Sequence, residues 1–194
     1  PRQRNRSLAA VRTLATAHKG RFFEAKHLGS PEWIPFWKKT SVDFLFAVNW
    51  RYLVPEAVYG RARRGAYVFH DSFLPRYRGF SPTVWSIING EGYTGATLFR
   101  MGQKADRGDI VDQKRIPIGP EDTIATVLPR VTEAYLRLLR RNLSDLIAGK
   151  VRHVPQDHSK ATYACRRIPQ DNRIDWSAPS RTIYDLIRAV TYPY

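Results

Sequence analysis

Apolar positions recur at two spacings along this chain, and the alternation between them predicts its elements. Leu8, Val11, Leu14 and Ala15 fall on one helical face, and His18-Lys19-Gly20 closes that run. Residues 21–25 read as a short strand. Ser30-Pro31-Glu32 marks a helix start, with Ser30 as N-cap and Pro31 at the first helical position, ahead of Trp33, Ile34, Phe36 and Trp37. Residues 42–48 are an apolar run of strand length with no charge after Asp43, which suits a parallel strand buried on both faces. A helix is expected over 55–64, then Gly65, then a second buried strand over 66–69.

Polar groups, proline and glycine arrive together in the segment from His70 to Gly79. Pro82 opens a helix with Val84, Ile87 and Ile88 on one face. Residues 95–101 predict another strand, 102–109 a polar turn and 110–118 an extended segment. Asp122 and Thr123 start a helical stretch that Pro129 is expected to kink or divide. Its second part carries Ala134, Leu138, Leu139, Leu143, Leu146 and Ile147 and ends at Gly149. Residues 150–180 read mostly as loop, with a short strand near Thr162. A last helix from Ser180 places Ile183, Leu186, Ile187 and Val190 on one side. Strands alternating with helices at this pace predict βαβ units and a mainly parallel sheet, in which ligands gather beyond the carboxyl ends of the strands. Attention therefore falls on the segment just after Phe69.

Composition narrows the picture. With 194 residues, 43% of them apolar, the chain fits one domain with a real core and is not a disordered segment. No apolar run reaches membrane-span length, and no leader pattern opens the chain. The single cysteine, Cys165, excludes an internal disulfide framework and fits a reducing, cytoplasmic setting. The chain opens at Pro1 and stops at Tyr194 inside an apolar helical pattern, so it is expected to be a piece of something longer. A net charge of +15 attracts polyanions, but the basic residues are mostly scattered; the dense groups are at 2–6, 61–64, 140–141 and 166–167.

The candidate chemistry begins with His70, a histidine at a strand end, where proton exchange near neutral pH is easily arranged. On position alone, a hydrogen-bonded structural histidine is the plainer reading. Asp106 sits in a Gly-flanked turn after another strand. A parallel topology could bring the two loops together, so that the carboxylate holds the imidazole. Asp71 should point away from His70, since neighbours on an extended chain face opposite sides. His153, Asp157 and His158 share a loop, but no Cys or further His completes a metal site, and no metal is expected. Cys165 beside Arg166 and Arg167 lacks a base, and no Gly-rich phosphate loop is present.

Three motifs together are more telling. His70-x-Ser72-x-Leu74-Pro75-x-Tyr77-Arg78-Gly79, Gly95-Ala96-Thr97-Leu98 and Asp106-Arg107-Gly108-Asp109-Ile110 resemble the signature of the 10-formyltetrahydrofolate-dependent formyltransferases. The resemblance runs from about Ser7 to Tyr194. It is nearest to the domain that formylates UDP-4-amino-4-deoxy-L-arabinose for lipid A (lipopolysaccharide) modification, with methionyl-tRNA formyltransferase next. It implies an α/β, Rossmann-like three-layer domain whose first βα unit is missing, with a catalytic core over 1–150. Residues 151–194 would be a connecting loop and a helix packed on that core, at the start of a truncated C-terminal region.

The activity implied is transfer of a formyl group from 10-formyltetrahydrofolate to the amine of a nucleotide-linked aminosugar, part of one-carbon metabolism. Initiator tRNA is the alternative acceptor, and the protein is a possible homo-oligomer. By resemblance His70 handles the proton and Asp106 orients it. The pterin would lie near Tyr52, Leu53 and Val54 and the turn Gly102, Gln103, Lys104, Ala105 and Asp106. Three departures stand out. Val68 replaces the family's catalytic asparagine, leaving Asn49 or Ser72 as substitute donors or else an impaired, folate- or nucleotide-binding relative. Phe80 stands where the sugar enzyme has an arginine. The missing opening would supply a sheet strand, so the chain is expected to fold poorly alone.

Overall fold

A computed structural model describes residues 2–193, with side chains from Leu8 onward; the basic group at 2–6 lies outside the described side chains. The elements run α1 (Arg2–Ala17), α2 (Ile34–Lys39), β1 (Val42–Val48), α3 (Glu56–Tyr59), β2 (Ala62–His70), β3 (Arg78–Gly79), α4 (Pro82–Ile88), β4 (Tyr93–Arg100), β5 (Ile110–Pro117), α5 (Ile124–Ala148), β6 (Tyr163–Ala164) and α6 (Ser180–Val190).

The fold is the expected α/β one. The main sheet has the order β1-β2-β4-β5, and a separate parallel ribbon joins β3 to β6. The parallel part of the main sheet is the β1–β2 pair, linked through α3, with Val48 opposite Phe69. β4 pairs antiparallel with β2, and β5 antiparallel with β4. The nine residues between β4 and β5 are too few for a crossover, so the chain doubles back beside itself. The result carries the end of β2, and with it His70, beside Thr97 of β4.

The core lies where α5 crosses β2, β4 and β5. It gathers Phe69, Leu98, Ile116, Ile124, Val127, Val131 and Leu138, all nearly sealed from solvent. Several local expectations are corrected. Residues 21–25 form no strand; Phe23 instead packs edge-on against Trp33 and Phe36. Ser30 precedes a 3-10 turn (Pro31–Trp33) rather than capping a helix, its hydroxyl donating to the His27 carbonyl. The helix expected over 55–64 is the single turn α3, because the chain must already enter β2 at Ala62 to pair with Val42. Pro129 does not divide α5, which runs unbroken for 25 residues. On α6 the buried residues are Asp185, Arg188 and Ala189, whereas Ile187 is half exposed: a buried ion pair, invisible to an apolar pattern, sets the inward face. Among the described residues no helix is long and apolar enough to cross a membrane.

Candidate active site

β2 ends on His70, and the polar segment after it is anchored by the neighbouring strands. Thr97, fully buried on β4, donates its hydroxyl to the Ser72 carbonyl (2.7 Å) and receives the Gln113 amide (2.9 Å). Gln113 also donates to the Leu74 carbonyl (2.8 Å). Ser72 spends its hydroxyl on the Arg76 carbonyl (2.6 Å). These bonds satisfy buried peptide groups of an irregular segment, which would otherwise be costly to bury. The Asp71 carboxylate receives the Thr83 hydroxyl (2.8 Å).

His70 itself is buried, with Nε2 2.9 Å from the Tyr77 carbonyl oxygen. A carbonyl only accepts, so the ring proton sits on Nε2 and Nδ1 carries the lone pair of the neutral imidazole. Nδ1 is the nitrogen turned toward Asp106, at 3.8 Å from Oδ1. That separation is too long for a direct hydrogen bond, but it sets the carboxylate beside the imidazole. The structure thus brings together two residues 36 positions apart in sequence.

Asp106 holds an unusual backbone. Its φ is +54°, a left-handed conformation that aspartate tolerates better than most side chains. Oδ2 accepts the Gly79 N–H at 2.8 Å, which orients Oδ1 toward the imidazole. Gly79, at φ +110°, passes so close to the Ala164 carbonyl that a Cβ would collide with it.

Of the other residues expected at the site, Gly102, Gln103, Lys104 and Ala105 form an exposed turn beside Asp106, and Tyr52 and Leu53 are exposed with Val54 half-buried. The two segments are tied together by Gln103, which donates to Glu56 at 3.0 Å. A cleft of about 1160 Å³ lies alongside, bounded by Asn49, Trp50 and Tyr52 and by the aromatic group Phe23, Trp33 and Phe36. Neither His70 nor Asp106 lines it. The β1–β2 register nevertheless sets Asn49, one residue beyond Val48, level with His70. Val68 shares the His70 face of β2. Ser72, with its hydroxyl committed to Arg76, is not a free donor; Asn49 borders the cleft at φ +51°.

Sequence reasoning did not single out Gln156, and Arg78 figured only as a motif letter. Arg78 is 1% exposed, and its guanidinium reaches Gln156 Oε1, His158 Nδ1 and the Tyr163 hydroxyl. The Tyr163 phenol is held below its ordinary pKa by hydrogen bonds from Arg107 and Arg78. A glutamine in a polar loop carries no signal of burial. Among the described residues no group of three or more His, Cys, Asp or Glu is arranged to hold a metal ion.

Comparison with known proteins points the same way. A family model described as formyl transferase matches residues 2–143. Among solved structures, the chain is similar to a sugar N-formyltransferase from Shewanella (24% identity, TM-score 0.70), covering 84% of this chain and 65% of that one. It is also similar to an N-formyltransferase from Helicobacter canadensis in complex with folinic acid and dTDP-3-aminofucose (21%, TM-score 0.74), covering 90% and 61%. HypX from Aquifex aeolicus with tetrahydrofolic acid matches at 20% identity and TM-score 0.69, over 78% of this chain and 26% of that one. The chain therefore spans less than two thirds of each of these proteins, and at such identities the likeness speaks for a shared, Rossmann-like fold. The family match covers most of the chain and includes both His70 and Asp106, and on that ground the chain belongs to the formyl transferase family.

Proposed function

We propose that this chain transfers a formyl group from 10-formyltetrahydrofolate to the amine of a nucleotide-linked aminosugar, in the cytoplasm. The observation that carries the reading is the His70–Asp106 pair, a buried imidazole at a strand end facing a half-buried carboxylate beside an exposed turn. Bound there, the folate would supply an activated formyl carbon. The exposed turn 102–105, tied through Gln103 and Glu56 to the segment that carries Tyr52 and Leu53, would hold the flat, hydrogen-bonding pterin. His70 Nδ1, left with the lone pair by the Nε2–Tyr77 bond, takes the proton that the attacking amine must shed. Asp106, 3.8 Å from Nδ1, would orient the imidazole for that step. The nucleotide-sugar acceptor is supported by the dTDP-3-aminofucose bound to the Helicobacter canadensis relative, and the lipopolysaccharide aminosugar by the residue resemblance.

A tRNA acceptor is the second reading, and the +15 net charge favours it. The test is to incubate the chain with 10-formyltetrahydrofolate and a panel of UDP- and dTDP-linked aminosugars, following release of tetrahydrofolate. Donor should be consumed only when an amine acceptor is present, and His70→Asn should cut the rate by about 10²-fold or more. Turnover with methionyl-tRNA alone would replace the acceptor; donor binding without turnover on any acceptor would make the protein a folate-binding relative.

A further inference from the structure

Asp106 faces His70 from a turn with a left-handed backbone, and a side chain from outside the two site loops holds that turn. Gln156 is 6% exposed. Its Nε2 donates to two carbonyls of the turn, those of Asp106 (3.0 Å) and Gly108 (2.7 Å). Its Oε1 receives Arg78 Nε (3.2 Å) and Nη2 (2.6 Å). Both hydrogens of the amide nitrogen and both lone pairs of its oxygen are therefore engaged, so the amide cannot rotate without losing all four bonds. Arg78 is fixed in turn: Nη2 reaches His158 Nδ1 (2.8 Å), and its backbone N–H donates to the Thr162 carbonyl (2.9 Å). Gly79, the next residue, gives its N–H to Asp106 Oδ2. The ring closes: Arg78 to Gln156, Gln156 to the Asp106 backbone, the Asp106 carboxylate to Gly79.

We propose that Gln156 is a positioning residue for the reaction, clamping the Asp106 turn so that Oδ1 stays on the imidazole. Its catalytic meaning rests on the reading of His70 and Asp106 above; its effect on the turn does not. The geometry also draws residues 154–164 into the site, although they lie beyond the stretch matched by the family model. Gly108 makes the clamp tight, because a Cβ there would run into the Arg100 carbonyl, leaving the turn no room to relax toward the sheet.

The discriminating variant is Gln156→Glu. A glutamate there still accepts from Arg78, now as an ion pair, so the anchor of Arg78 survives. It has no N–H to give the turn, and it sets a negative charge against two carbonyl oxygens. Amide exchange on the ¹⁵N-labelled chain reads the outcome without any substrate. The Gly79 N–H should lose about tenfold or more of its protection, since a hydrogen bond to a carboxylate is among the stronger kind. The flanking amides of Arg78 and Phe80, bonded to the Thr162 and Ala164 carbonyls, should stay protected and serve as internal references. In turnover, kcat should fall by about tenfold or more, with any rise in the KM for 10-formyltetrahydrofolate smaller than that fall. Gln156→Met, which can neither accept ionically nor donate, should show the same selective loss at Gly79 if the glutamate variant does not fold. Equal loss of protection at Arg78, Gly79 and Phe80 would make Gln156 a packing residue and overturn the proposal, as would unchanged protection at Gly79. Selective loss at Gly79 with no turnover in any protein would keep the clamp and sink the catalytic reading instead.

Discussion

At the residue scale the site turns on one imidazole and what surrounds it. Val68 lies two positions before His70 on the same face of β2, so a side chain there looks toward the same space. Valine offers no hydrogen to the oxyanion formed when an amine adds to a formyl carbon. A single such donor contributes about 10²–10³ in rate. Val68→Asn is therefore expected to raise the single-turnover rate of formyl transfer by a factor of that order, with donor affinity little changed. An unchanged rate would show that another group, with Asn49 the best placed, already fills the role. The residue types were legible where chemistry and position coincide: a histidine closing a strand, an aspartate in a turn. Their convergence was not, since β4 runs antiparallel to β2 and the turn after it is bonded back to Gly79 and Gln156. Gln156 was not legible, because its function is entirely in its neighbours and a glutamine in a polar loop has no distinguishing pattern. Asp185 and Arg188 were hidden for the opposite reason, a charged pair where the apolar rule predicts solvent.

Elements show the same contest between local rule and tertiary packing. Proline inside a helix costs about 3 kcal/mol through its lost bond and its clash. The stripe Ile124, Val127, Val131, Ala134 and Leu138 is almost wholly buried against the sheet, and each large apolar side chain contributes about 1.5–3 kcal/mol. Packing wins, and α5 passes through Pro129 unbroken. Its start depends on charge. Burial tends to raise the Asp122 carboxyl, but the Arg130 guanidinium, the Gly119 N–H and the Thr126 hydroxyl outweigh it and hold the pKa at about 2, below an ordinary 3.8. A lowered carboxyl stabilises the fold fully above its unfolded-state value, and that contribution is lost as pH falls through the folded one. Asp122→Ala should thus cost about 2 kcal/mol at pH 7, and the gap to the parent should close between about pH 4 and pH 2. Urea unfolding at several pH values measures it; a gap independent of pH would show that the contribution is not ionic.

Across the whole molecule, several of the arginines are structural. Arg61 donates to the Trp37 and Lys38 carbonyls, Arg141 pairs with Asp112, Arg78 sits in the site's framework, and Arg188 is buried in α6. Arginines held by backbone carbonyls are less free to meet phosphates, although the +15 surplus stands after every carboxylate is counted. Such bonds also join α6 to the rest. Arg188 meets Asp185 at 2.6 Å and, through Nη1, the Gly119 and Asp122 carbonyls at 3.0 and 2.7 Å. The last helix is thereby fastened to the loop that launches α5. Both members of the pair are nearly sealed from water, and removing one leaves a bare buried charge, at a cost of about 3–5 kcal/mol. Asp185→Ala is expected to lower the thermal midpoint of the entire chain in one cooperative transition, because α5 and the sheet it covers share the broken joint. Calorimetry decides between this and the alternative. A separate low-temperature transition in the variant, with the parent midpoint otherwise kept, would mean that α6 is an appendage whose loss the catalytic framework survives.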